Sequence, residues 1–204
     1  GVTTVLEIDH QLPEQLKFLH GTTYKAYAFV GDAAGLVFMT GIAWAIVRRY
    51  VQRPYRIRIK SKPEHAIILG VFFAMGLTGF GAEMFRIALE GGPDYEQWSF
   101  IGYPLSTLVD GWSQSALSTW HQWWWIGHVA TFVAFLIILP LTMLRHMFTS
   151  PINMYLKDKD RPKGAMRPMP NLMETELESF GASSVEDFTW KQLLDLDACT
   201  MCGR

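Results

Sequence analysis

Three long apolar segments constrain the fold of this chain more than any other feature. They cover residues 26–47, 66–89 and 123–144, and each is close to the ~20 residues that a helix needs to cross the hydrocarbon core of a bilayer. The charged fraction of the chain, 18%, is below the ~25% that is typical of soluble domains. Buried helices of a large soluble protein are the alternative. Three long segments with consistent flanks favour an all-α membrane helical bundle.

The charges between these segments predict the orientation of the chain. Residues 48–62 contain seven Lys and Arg and no acid, whereas residues 90–120 contain four acids and no Lys or Arg. The positive-inside rule therefore places the basic loop and the tail after Arg145 in the cytoplasm of a multi-pass protein of the cell (inner) membrane. The tryptophans at 120–125 fit an outer aromatic belt. Membrane lipid is an expected partner and nucleic acid is not, because the one basic run lies between two apolar segments.

Composition divides the chain into four parts. Residues 1–25 are expected to form an extracytoplasmic N-terminal segment, and residues 26–149 a transmembrane domain with a short interfacial helix over 98–109. Residues 150–171 are proline-rich and charged, which indicates a linker. Residues 172–204 read as the start of a soluble domain, in which a Ser-x-x-Glu/Asp start opens a short amphipathic helix that leads to Cys199.

The histidines of the apolar segments suggest a cofactor. His128 and His146 are 18 residues apart, which is five turns of one helix, so both rings would share a face about 27 Å apart along the axis. His65 opens the second span from the cytoplasmic side, level with His146. A polar ring in a membrane span usually has a partner, and facing imidazoles in a helix bundle can hold haem iron. The alternative is a set of hydrogen-bonded interfacial histidines.

The second segment, "HAIILGVFFAMGLTGFG", and the third with its two histidines resemble the cytochrome b (gamma) subunit of respiratory nitrate reductases. The resemblance implies one or two b-type haems between two helices, each helix supplying one ligand to each haem. His65 and His146 would then hold the inner haem, and His128 the outer one. Where the family has a second histidine on the other helix, this chain has Met75, which is either a ligand or core filler. His20, His121 or an absent outer haem remain alternatives.

The last residues, "DFTWKQLLDLDACTMCGR", resemble the start of the iron–sulfur domain in heterodisulfide-reductase-related membrane proteins. In these, a cytochrome b-like domain is fused to a cytoplasmic ferredoxin-like domain. The resemblance implies that Cys199 and Cys202 are the first two ligands of a [4Fe-4S] cluster, whose other ligands would lie beyond Arg204, so that this chain is an N-terminal fragment. Zinc or a redox disulfide also fits the Cys-x-x-Cys pair taken alone.

These expectations together predict a membrane electron-transfer subunit, a quinone-linked oxidoreductase or part of one. Electrons would pass between a cytoplasmic partner and the quinone pool, and the partner would be an electron-transfer flavoprotein or a disulfide-reductase-like module. Membership of a larger complex is left open. Glu83, Arg86 and Asp32 are the candidate quinone-binding residues, because ionisable groups in a membrane are commonly functional. An Arg86 salt bridge with Glu83 or Asp32 that only locks the helices is the alternative. Two other functions fit less well, a haem-free anchor for a soluble redox enzyme and an ion-translocating subunit.

Overall fold

The computed structural model describes most of the chain, and every element within the described part is helical. The described residues are 9, 12–13, 18–19, 21–157, 160, 171, 173 and 184–199. They fall into two compact units, which divide between Ile138 and Leu139.

Three helices among the described residues are long and apolar enough to cross a membrane. They are α1 (Gly21–Ile46), which continues as a π-helix over Val47–Gln52, α3 (Pro63–Leu89) and α5 (Gln114–Leu141), with a short α2 (Tyr55–Lys60) between the first two. The three predicted apolar segments are thus confirmed as helices, and each helix begins before its predicted segment. The π-helix ends where Arg53 takes a left-handed conformation, with φ 45°, directly before Pro54.

The segment between α3 and α5 packs on the bundle as a series of short turns. It contains a 3-10 helix over Asp94–Trp98, helix α4 over Gly102–Ser106 and a 3-10 turn over Thr107–Val109. The interfacial helix that was predicted over 98–109 is therefore split into two pieces. The 3-10 helix contacts α1, and α4 contacts α3, so residues 94–109 close one end of the bundle. These residues are called the outer segment after the orientation that the charges predict.

Aromatic packing holds α3 and α5 together beneath the outer segment. Phe85 of α3 is 3% exposed and forms a core cluster with Val109 and Leu117. Its ring also packs against three indoles, those of Trp112, Trp120 and Trp124. These contacts place the tryptophan-rich start of α5 in the packing of the bundle as well as on its surface.

The third apolar helix ends earlier than the sequence predicted. α5 stops at Leu141, just after Pro140, and Thr142 is extended, with φ −119° and ψ −178°. Proline lacks the N–H that a helix needs and crowds the preceding turn. A 3-10 turn, Met143–Arg145, follows, and a new helix, α6 (His146–Tyr155), begins at His146. The argument that His128 and His146 share one face of a continuous helix is therefore wrong.

The second compact unit contains the predicted amphipathic helix. Ser184 and Asp187 form the expected capping box, but it opens only a 3-10 turn over Val185–Asp187. The helix itself, α7 (Trp190–Asp197), begins three residues later under a second box made by Thr189 and Gln192.

Helix α7 packs on α6 through polar contacts. Lys191 Nζ donates to Asn153 Oδ1 at 2.6 Å, and Arg145 forms an ion pair with Asp197 at 2.7 Å. The Ser150 hydroxyl donates to the carbonyl of Ala198 at 3.4 Å, directly before Cys199. These contacts fix the direction in which the chain enters the cysteine motif.

Candidate functional site

A cavity of about 380 Å³ lies between α1, α3 and α5. This volume falls in the ~300–1,000 Å³ range of small-molecule and cofactor pockets. The cavity brings together six of the residues predicted from the sequence, namely Asp32, Met75, Glu83, Arg86, His121 and His128. Met75 and Glu83 are eight residues apart on α3, which is about 12 Å along the helix axis. The cavity therefore has a histidine–methionine end and a carboxyl end.

Four glycine residues contribute to the wall of the cavity. They are Gly31 and Gly35 of α1 and Gly76 and Gly79 of α3. At Gly79 a Cβ would lie 3.4 Å from Cε1 of His128, so a larger residue there would crowd the imidazole. At Gly35 and Gly76 a Cβ would meet the side chains of Phe80 and Met39, so these two glycines allow close packing of the helices beside the cavity.

The imidazole of His128 is oriented by groups on the facing helix. Its Nδ1 lies 3.1 Å from the carbonyl oxygen of Met75 and 3.2 Å from Oγ1 of Thr78. The Thr78 hydroxyl donates to the carbonyl of Ala74 at 2.7 Å, so it accepts from His128. A carbonyl acceptor assigns the imidazole proton to Nδ1, which leaves the lone pair on Nε2, the form of histidine that binds a metal.

Two other predicted histidines have the same kind of partner. Nδ1 of His146 contacts the carbonyl oxygen of Met143, three residues before it. Nδ1 of His65 lies 3.1 Å from the carbonyl oxygen of Lys62 and 3.0 Å from the Lys62 nitrogen. His65 thus either caps the start of α3 or donates to the carbonyl with its lone pair on Nε2. Metal-bound histidines generally donate their second N–H to such an acceptor.

Some of the remaining predicted ligands line the cavity and others do not. The side chain of Met75 lines the cavity together with His128, and His121 lines it as well. His20 and Cys202 lie outside the described residues. Cys199 is exposed, two residues after the end of α7. His65 and His146 fall in different compact units, so their pairing stays a prediction.

Asp32 marks the carboxyl end of the cavity. Its side chain is 2% exposed, and Oδ2 accepts hydrogen bonds from the backbone N–H of Ile101 at 2.6 Å and of Gly102 at 3.2 Å. The carboxyl of Glu83 lines the same end of the cavity. Glu83 also rests on Gly102, where a Cβ would come within 2.7 Å of its carboxyl carbon.

Arg86 is held by acids other than the two that the sequence suggested. Its guanidinium binds Glu96 at 2.6 and 3.2 Å and Glu90 at 3.2 Å. Glu96 is fully buried and also accepts from the hydroxyls of Tyr24 and Ser99. The alternative of a helix-locking salt bridge for Arg86 is therefore supported, with Glu90 and Glu96 in place of Glu83 and Asp32.

The pKa of Glu96 reflects two opposing effects. Burial alone would raise it, but the hydrogen bonds and charge of Arg86, with the hydroxyls of Tyr24 and Ser99, hold it below its ordinary value. Glu96 is thus the anion that neutralises Arg86 at the outer end of the bundle.

Sequence reasoning missed Glu96, Tyr24 and Thr78. Glu96 was counted only as one of four acids in the outer loop, although a buried Arg at the end of a span requires a nearby acid. That requirement was the signal that could have found it. Thr78 gives no such signal, because its contact with His128 depends on how α3 and α5 face each other.

Comparisons with known proteins identify the family to which the chain belongs. The family model described as "Nitrate reductase gamma subunit" matches residues 6–161. The chain is 32% identical over 194 residues to "EtfAB:quinone oxidoreductase" of Syntrophomonas wolfei, covering 91% of this chain and 26% of that protein. It is 29% identical over 185 residues to "Probable iron-sulfur-binding oxidoreductase FadF" of Bacillus subtilis, covering 90% of this chain and 25% of that protein. The chain thus spans about a quarter of these relatives, and no solved structure matches it.

Proposed function

The chain belongs to the nitrate reductase gamma subunit family of membrane proteins, and on this premise we propose that it carries electrons between a cytoplasmic redox partner and membrane quinone. The electrons would pass through b-type haem in the helical bundle and through an iron–sulfur domain that begins at Cys199. A bound haem supplies a centre that gains or loses one electron at a time.

The observation that carries this proposal is the shared geometry of three histidines. His65, His128 and His146 each place Nδ1 beside a backbone carbonyl oxygen. An imidazole that donates through Nδ1 presents the lone pair of Nε2 to a metal. The carbonyl partners of His65 and His146 lie three residues earlier in the chain, and Nδ1 of His65 also lies 3.0 Å from the Lys62 nitrogen. His128, whose carbonyl partner is on the facing helix, therefore gives the strongest support.

The outer haem is assigned to His128 and Met75. The two residues lie on facing helices, line one cavity and are joined by the bond between the His128 ring and the Met75 carbonyl. Gly79 leaves room beside the imidazole. His121 lines the same cavity and is the alternative ligand. The inner haem is assigned to His65 and His146.

The quinone site is assigned to the carboxyl end of the cavity. Reduction of a quinone takes up two electrons and two protons, so its site needs proton-exchanging groups beside an apolar slot. Asp32 and Glu83 supply such groups. Arg86, already neutralised by Glu90 and Glu96, would contribute hydrogen bonds and shape.

The soluble side of the pathway is assigned to the tail. Cys199 and Cys202 are proposed as the first ligands of a [4Fe-4S] cluster, since thiolates at this spacing bind such clusters. One relative is named for EtfAB and quinone and the other for iron–sulfur binding. These names support an electron-transfer flavoprotein as the cytoplasmic partner, ahead of a disulfide-reductase-like module.

A reduced-minus-oxidised absorbance spectrum of the purified full-length protein tests the proposal. A b-type haem spectrum is expected. His128→Ala should remove the outer haem signal, and the matched variant His121→Ala should keep it. His65→Ala and His146→Ala should each remove the other signal. Met75→His should lower the potential of the outer haem, because methionine ligation raises it.

Three outcomes would contradict these assignments. A wild-type protein without haem would favour a membrane anchor or an ion-translocating subunit. Loss of the outer haem in His121→Ala, with retention in His128→Ala, would move the ligand to His121. An unchanged outer potential in Met75→His would remove Met75 from the ligand set.

A further inference from the structure

We propose that Glu83 is the acid that exchanges protons with the quinone, and that Asp32 is its fixed anionic partner. This inference rests on the proposed function, because it assigns a chemical role within the same cavity. It goes further by separating two carboxyls that the sequence treats alike.

The two carboxyls share a proton because of where they lie. Asp32 is 2% exposed and accepts a hydrogen bond from the N–H of Gly102, and the Glu83 carboxyl lies against the same glycine and lines the same cavity. Two carboxyl groups that meet one residue inside a helical bundle repel each other when both are ionised, so the protonated form of one of them is favoured. One of the pair is therefore an acid with an O–H to donate.

The backbone of the outer segment decides which carboxyl is the anion. Oδ2 of Asp32 accepts from the N–H groups of Ile101 and Gly102, and hydrogen bonds of this kind stabilise a carboxylate. Glu83 lies against Gly102 through its carboxyl carbon and lines the cavity. The proton therefore belongs to Glu83, the longer side chain, which reaches the ligand.

The other charged groups around Asp32 and Glu83 do not remove the need for a proton on one of the two carboxyls. Arg86, one turn from Glu83 on α3, forms ion pairs with Glu90 and Glu96. From the facing elements, Tyr24 of α1 donates to Glu96, and His121 of α5 lines the cavity. The positive charge of Arg86 is thus balanced by two acids that are not part of the Asp32–Glu83 pair.

Glu83 would pass one proton for each electron that the quinone takes. Full reduction of a quinone needs two electrons, which a bound b-type haem would supply one at a time. For each electron, the O–H bond of Glu83 breaks, an O–H bond forms on a quinone oxygen, and Glu83 regains a proton from bulk water. The reverse sequence applies to quinol oxidation, in which Glu83 takes the two protons in turn.

The test compares Glu83→Gln with wild type in the haem-loaded, full-length protein, with a short-chain benzoquinol as the probe. Glutamine keeps the size and the hydrogen bonds but cannot give a proton. Quinol-driven haem reduction should fall by roughly 100-fold or more, as expected for loss of an acid–base group. The haem spectrum after reduction with dithionite should not change. Glu83→Asp should recover part of the rate.

Infrared difference spectroscopy provides a second readout that does not depend on turnover. The wild-type protein should show the C=O band of a protonated carboxylic acid at neutral pH, and Glu83→Gln should lose it. The matched control is Glu90→Gln on the same helix, which removes an acid from Arg86 but not from the pair. It should keep the band and a rate within about twofold of wild type, since surface acids contribute little.

The outcomes separate this inference from the proposed function. Wild-type haem that quinol cannot reduce would overturn the quinone assignment itself. Wild-type quinol activity in Glu83→Gln would leave that assignment standing and refute the role of Glu83. Loss of the acid band in Asp32→Asn, with retention in Glu83→Gln, would show that the pair holds its proton on Asp32, which also overturns the inference.

Discussion

At Gly81, the absence of a Cβ atom allows α3 and α5 to pack closely together. A Cβ at this position would lie 2.1 Å from the indole of Trp124, whereas a Cβ at Gly70 of the same helix would meet nothing within 4 Å. Gly81→Ala is therefore expected to destabilise the protein by about 1–3 kcal/mol, the usual cost of overpacking. Thermal unfolding in detergent measures the effect.

Gly70→Ala is the matched control for this variant. It should leave the melting temperature unchanged or raise it, because alanine favours helix over glycine by up to ~1 kcal/mol. Equal melting temperatures for the two variants would mean that Trp124 moves aside without cost.

Glu96 should make the stability of the protein depend on pH. Its pKa in the folded protein is below the ordinary value, since Arg86, Tyr24 and Ser99 outweigh the effect of burial. Its contribution is therefore fully present above the ordinary glutamate value of ~4.3 and is lost as the pH falls through the folded value. Glu96→Gln should lower the free energy of unfolding by about 3–5 kcal/mol at neutral pH, as for a broken buried pair. It should also make the melting temperature fall less between neutral and acidic pH.

Melting temperatures recorded from pH 7 to pH 3 test this prediction. The control is Asp94→Asn, an exposed acid of the same 3-10 helix, which should follow the wild-type curve. If the melting temperature of Glu96→Gln falls toward pH 3 as much as that of wild type, the pH dependence belongs to other carboxyls.

At the residue scale, sequence reasoning selected side chains that the structure brings to one cavity, but it did not find their partners. The family resemblance selected His128 and Met75, the presence of ionisable groups in a membrane selected Glu83 and Asp32, and all four line the cavity. The partners of these residues are backbone groups, such as the Met75 carbonyl and the N–H of Ile101. Every residue has backbone polar groups, so the sequence does not indicate which of these groups contact a given side chain.

At the element scale, apolar composition predicted which segments are helices better than where they end. α5 was expected to run to residue 144, because Leu141, Met143 and Leu144 continue the apolar run. It ends at Leu141 because Pro140 weakens the last turn and Thr142 is extended. The mean hydropathy of a sequence window does not reveal this break, because one proline and one threonine change it very little.

The packing of α7 on α6 gives a prediction at this scale. Arg145 and Asp197 form an ion pair whose side chains are 52% and 39% exposed, so Asp197→Asn should cost no more than ~1 kcal/mol. The backbone amides of α7 should nevertheless exchange hydrogen faster, because this contact and the Lys191–Asn153 bond hold a helix of only eight residues. Hydrogen exchange with mass spectrometry measures the change.

Charge reversal provides the control for this pair. The double variant Arg145→Asp with Asp197→Arg should restore slow exchange, and Glu186→Gln, an exposed acid just before α7, should not alter it. Slow exchange in the Asp197→Asn variant would show that the ion pair is dispensable for packing.

At the scale of the whole molecule, orientation is the property that the charges predict. Residues 48–62 are basic and residues 90–120 acidic, so the tail with Cys199 should face the cytoplasm. The 204 residues contain two cysteines, too few for the four ligands of a cluster, so in a chain of these residues the thiols of Cys199 and Cys202 should react with maleimide. A membrane-impermeant maleimide should leave them unlabelled in intact cells and should label them in inverted membrane vesicles. Asp110→Cys, in a background with Cys199→Ser and Cys202→Ser, should show the opposite pattern.

Labelling of Cys199 from outside the cell would invert the predicted topology. It would then place the carboxyl end of the cavity on the cytoplasmic side. The proposed haem ligands would keep their positions on the helices, but the iron–sulfur domain could not reach a cytoplasmic partner.

The ion pairs of Arg86 bear on how the protein is made. As the chain is synthesised, Arg86 reaches the bilayer before the outer segment has folded, so Glu96 is not yet in place. Glu90 lies one turn further along and binds the same guanidinium, so this pair requires only that the end of α3 is helical. The pair with Glu96 also requires residues 94–98 to fold against the bundle, so the two ion pairs of Arg86 depend on different steps of folding.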